Sequence, residues 1–138
     1  MNIVVWIESK AGELKSPAIE ALGVARKLAD ASSGEVTGVI CEASGTVIPE
    51  EYMTAGAHHI VTRTRDDWDH CANDTIANEI VSVCESQSAS CVIGAATTAG
   101  KEVLSLVAGS MGVPVAADCV DVSFENGTLE FHDCVLLN

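Results

Sequence analysis

The residues best suited to chemistry by type and spacing are Gly94, Thr97, Thr98, Gly100 and Lys101, in the run CVIGAATTAGKEVL at residues 91–104. An apolar, strand-like run enters a loop of small residues, and a helix then begins. That order can aim backbone N–H groups at a phosphate. An NTPase phosphate loop needs glycine, four residues, then Gly-Lys-Ser/Thr, the hydroxyl going to magnesium. Here five residues separate Gly94 from Gly100, and Glu102 stands where the hydroxyl belongs. A carboxylate at that position repels a triphosphate. The segment therefore does not read as a working NTPase loop, and Thr97 and Thr98 either donate to a phosphate or cap the following helix.

Other reactive side chains are less well arranged. Asp66, Asp67, Asp69, His70 and Cys71 could hold a hard cation, but acids just before a helix are also stabilised by its positive end. His58 and His59 are neighbours on a strand and point to opposite faces, so they cannot easily share an ion; His132 and Asp133 meet the same objection. Cys41, Cys71, Cys84, Cys91, Cys119 and Cys134 contain no C-x-x-C pair and read as small apolar residues rather than zinc or iron–sulfur ligands. No serine has a histidine and an acid at informative spacing. The residues point to a binding or scaffolding domain rather than a self-contained enzyme, with no catalytic and no metal-binding residues.

The elements that must carry these side chains are legible from periodicity. Residues 3–7 form an apolar run of strand length. A helix follows, with Ser16 as its cap, Pro17 at its first position and Gly34 at its end. Ala18, Ala21, Leu22, Ala25, Leu28 and Ala29 give it one small-residue face. Strands are expected at 35–41, 58–64 and in SCVIGAA, with helices at 49–57, from about 70 to 87, and after the small-residue loop, closed by Gly112 and Pro114. Alternating strands and helices imply a parallel sheet of about five strands, covered on both faces, with the first strand central. The tail departs from this rhythm, since Asn126-Gly127 between two strand-like runs signals an antiparallel hairpin. Glu8-Ser9 and Cys41-Glu42 should join the Gly94–Gly100 loop beyond the carboxyl ends of the strands, where open parallel sheets bind ligands.

Composition narrows the classes further. A chain of 138 residues with 48% hydrophobic residues supports one domain with a real core. A net charge of −13, with seven Lys and Arg against twenty carboxylates, argues against nucleic acid and anionic lipid as partners. There is no signal-type N-terminus and no apolar run of membrane-spanning length, so no membrane insertion is expected and the cytoplasm is the expected compartment.

Three segments together carry a family resemblance: VVWIESKAGELKSPAIEALGVARKLAD, GAATTAGKEVLSLVAGSMGVPVAADCVDV and ENGTLEF. They resemble the N-terminal domain of the electron transfer flavoprotein alpha subunit across nearly the whole chain, including the Gly94 to Lys101 loop and Ala117-Asp118, and the resemblance implies that Gly94, Thr97, Thr98, Gly100 and Lys101 form a vestigial nucleotide-type loop. The resemblance implies a Rossmann-like α/β three-layer sandwich with a mostly parallel sheet and a C-terminal antiparallel hairpin. It implies a heterodimer with a beta subunit, which carries electrons from acyl-CoA dehydrogenases or similar flavin dehydrogenase donors to an acceptor. FAD belongs to the complete protein and is held chiefly by a second, C-terminal domain. Residues 1–138 are then the N-terminal, nucleotide-binding-like domain, with the FAD domain absent from this chain and no cofactor expected in the isolated chain. The competing reading is a stand-alone nucleotide-binding module resembling universal stress proteins, matched loosely through Gly94, Gly109 and Ser110. The basic residue and Tyr-x-Gly-like turn usual after the family's hairpin are replaced by FHDCVLLN.

Overall fold

Residues 3–7 have no polar position because the strand they form is covered on both sides. In the computed structural model, which describes residues 1–13, 15–132 and 135–137, the last three for their backbone alone, they give β1 (Ile3–Trp6). This strand lies between β2 (Val36–Glu42) and β4 (Cys91–Gly94), and β3 (His59–Thr64) adds beyond β2. All three pairings are parallel, as the alternation of strands and helices requires. Successive side chains of a strand face opposite ways. Ile3, Val5 and Ile7 accordingly enter one core, and Val4 and Trp6 the other.

Helices α1 (Ser16–Ser32) and α2 (Glu51–Ala55) cover the first face. Helices α3 (Asn73–Ser86) and α4 (Thr98–Met111) cover the second. The buried stripe of α1 is the expected one, Ala18, Ala21, Leu22, Ala25, Leu28 and Ala29. Gly38 faces the same layer from β2. A Cβ there would stand 2.6 Å from Ile7 Cδ1 and 2.9 Å from Ile60 Cδ1, so the space of the missing side chain is already filled by two isoleucines.

Helix boundaries differ from the sequence reading, α2 spanning only Glu51–Ala55 within the expected 49–57. Lys15, not Ser16, is the N-cap of α1: its carbonyl accepts from the N–H groups of Ala18 and Ile19, so Ser16 is already helical and its hydroxyl makes no cap. The α3 helix starts only at Asn73, because the extended backbone of Ala72 separates it from a 3-10 turn at Trp68–His70. At its other end α1 closes with Ser33 in the left-handed region and the Gly34 N–H bonded to the Ala29 carbonyl.

The tail is antiparallel. Strands β6 (Asp121–Glu125) and β7 (Thr128–His132) pair across Asn126 and Gly127, whose φ values of 52° and 79° suit a two-residue hairpin turn. The three-residue strand β5 (Val115–Ala117) pairs antiparallel with β8 (Val135–Leu137). The parallel sheet thus has four strands rather than about five. Strand β5 touches α4, while β6 touches α1, so residues 115–125 pass from one helical layer to the other.

Register decides which hairpin side chains are covered. Val122 faces Phe131 and Phe124 faces Leu129, so these four share one face, and Asp121, Ser123, Glu125, Thr128, Glu130 and His132 take the other. Val122 is buried in the first core, and Phe124 and Leu129 pack against it. Phe131 remains 44% exposed. The apolar side chains of this hairpin are therefore divided: Leu129 belongs to the core and Phe131 to the surface, while the side chains of residues 135–137 lie outside the described residues.

Two outcomes follow for denaturation experiments. Leu22→Ala should cost about 2–5 kcal/mol, because it empties a fully buried position between α1 and the sheet. Leu129→Ser should lower the melting temperature through an unpaired hydroxyl in a half-buried site, at about 1–3 kcal/mol, whereas Phe131→Ser should change stability by less than about 1 kcal/mol. Equal losses from the two hairpin variants would contradict this division of the face.

Candidate functional site

The carboxyl ends of the strands form the natural crevice of such a sheet. The order β3-β2-β1-β4 reverses direction between β1 and β4, and ligands of open α/β sheets bind where that reversal occurs. Glu8 and Ser9 leave β1 here, Glu42 ends β2, and Gly94 ends β4 just before the α4 N-terminus.

Thr97 is the N-cap of α4. Its hydroxyl oxygen accepts from the Gly100 N–H at 2.9 Å and donates its own proton to Glu8 Oε2 at 2.8 Å. One side chain thus caps the helix and ties the end of β1 to the start of α4. The glycines beside it have packing reasons. A Cβ on Gly100 would collide with the Ala95 carbonyl oxygen, and one on Gly94 would lie 2.9 Å from Leu104 Cδ1. Thr98 is exposed in the first turn. Lys101 turns to Asp118, with Nζ 2.7 Å from Oδ1, and fastens the residue after β5 to α4.

This geometry does not fit a bound phosphate of FAD or of another nucleotide. The Gly100 N–H is already bonded to Thr97, the Lys101 ammonium is paired, and the Glu8 carboxylate supplies negative charge at the positive end of the helix. An incoming phosphate would meet that carboxylate. A cavity of about 400 Å³ lies elsewhere, between α1 and the hairpin, with Lys27, Leu28, Phe124 and His132 in its lining.

A second carboxylate organises the loop after β1. Glu42 is only 6% exposed, and its Oε1 accepts from the Ser9 hydroxyl at 2.6 Å and from the Gly12 N–H at 3.3 Å. Its backbone carbonyl accepts from the Arg65 N–H and from the Trp68 indole N–H, each at 3.2 Å. Tyr52, fully buried in α2, donates its hydroxyl proton to the Glu13 carbonyl at 3.1 Å. Burial, then the nearby Glu42 and Glu13 charges, raise the Tyr52 pKa. Sequence reasoning placed Cys41-Glu42 at this end of the sheet but missed the Glu42 and Tyr52 bonds. The available signal was a glutamate closing the run VTGVIC and the only tyrosine of the chain.

The remaining candidates separate. Arg65 binds Asp67 through two hydrogen bonds of 2.8 and 3.0 Å and lies over the Trp68 ring, and the bond to Arg65 holds the Asp67 carboxyl below its ordinary range. Asp66 accepts from the Ser44 N–H at 3.0 Å. Among the described residues no group of three or more His, Cys, Asp and Glu is placed to hold a metal ion. His58 Nδ1 accepts from the Val36 N–H at 2.9 Å, while His59 Nε2 lies 3.1 Å from Glu35 Oε2, so the two rings serve different partners. His132 Nε2 is 3.4 Å from the Ser123 hydroxyl; Asp133 and Cys134 lie outside the described residues. Among those described, no helix is long and apolar enough to cross a membrane.

Comparison with known proteins assigns the family. The sequence model of the electron transfer flavoprotein domain matches residues 3–134, and the chain belongs to that family. It is 27% identical over 137 residues to the protein FixB of Clostridium saccharobutylicum, covering 94% of this chain and 41% of that one. It is 31% identical over 121 residues to the electron transfer flavoprotein subunit alpha of Mycobacterium leprae, covering 86% and 36%. The corresponding subunit of Bacillus subtilis is 26% identical over 130 residues, covering 94% and 39%. The chain therefore spans about two fifths of the length of these relatives.

Thr97→Ala should destabilise the domain by about 0.5–2 kcal/mol, the usual cost of a lost helix cap, and Thr97→Ser should restore most of it. Thermal melts of the two variants check this.

One buried thiol, Cys84, and two partly buried ones, Cys41 and Cys91, give a pH dependence of known sign. Burial pushes Cys84 and Cys91 up to about 11 and, with Glu79 and Glu42 nearby, Cys41 up to about 12, from an ordinary 9.0. Their folded values are raised, so this contribution to stability is fully present below pH 9 and is lost as pH rises towards 12. Denaturant midpoints should fall across that window, and Cys41 should resist alkylation at pH 8 until the chain unfolds.

Proposed function

We propose that this chain is the subunit-docking domain of an electron transfer flavoprotein alpha-type protein. In this reading it pairs with a beta subunit and supports electron transfer from acyl-CoA dehydrogenase-type donors. The flavin is bound mainly by a C-terminal domain of the kind that completes an alpha subunit, and the cytoplasm is the compartment. The observation that carries the reading is the family match over residues 3–134, joined to alpha-subunit relatives of which this chain spans about two fifths. The capped, carboxylate-filled α4 N-terminus supports it by disfavouring a nucleotide site of the domain's own. The domain contributes a rigid α/β base to the assembly and no catalytic residue.

The test is to mix the purified chain with an electron transfer flavoprotein beta subunit and to follow sedimentation and flavin absorbance together. The expected result is a colourless chain that forms a heterodimer. Failure to associate would overturn the docking role, and stoichiometric yellow flavin on the isolated chain would overturn the assignment of the flavin to another domain. AMP or ATP held beside Gly94 and Thr98 would instead favour a stand-alone nucleotide-binding module.

A further inference from the structure

We draw no further inference here: the strongest candidate, the base of the hairpin's apolar face where Val120 and Phe131 stand exposed, carries nothing because no described residue shows what covers it.

Discussion

Burial of β1 on both faces is the constraint on which the other elements depend. A four-residue strand with every side chain shielded cannot exist without a helical layer on each side. Ile3, Val5 and Ile7 require α1 and α2, and Val4 and Trp6 require α3 and α4. The parallel pairing to β2 and β4 then follows from connections that must cross the sheet through helices. Gly38 belongs to the same constraint, since Ile7 and Ile60 meet over it only because β2 carries no side chain there.

The end of this sheet that usually receives a ligand is instead organised by the chain's own acids. Glu8 engages the hydroxyl that caps α4, and Glu42 turns inward to Ser9 and Gly12. Both contacts tie a connecting loop to the strand ends. Together with the bond from Tyr52 to Glu13, they fix residues 8–13 as part of the scaffold.

The C-terminal hairpin applies the same economy of faces on a smaller scale. A two-stranded sheet is marginal alone and needs a hydrophobic surface to rest on. Val122, Phe124 and Leu129 provide its contact with the α1 layer, while the opposite face carries charge and hydroxyls. The Lys101–Asp118 pair anchors the other end of this segment at α4. Its half-exposed partners make it a positional link rather than a large source of stability.

Local patterning in the sequence determined the order of strands and helices, the apolar stripe of α1 and the Asn126-Gly127 turn. These depend on hydrophobic period and on backbone preferences that act over a few residues. Even the neighbourhood of Glu8, Glu42 and Gly94 was legible, because a parallel α/β sheet gathers the carboxyl ends of its strands. Tertiary structure alone decided how those residues are used. Whether Thr97 caps a helix or meets a phosphate depends on Glu8, which is 89 positions away in the chain. Whether Lys101 is available depends on where Asp118 falls after β5. The antiparallel pairing of β5 with β8 and the division of the hairpin between Leu129 and Phe131 were likewise set by strand register. Such contacts join segments that share no local pattern, and only the packed chain brings them within hydrogen-bonding distance.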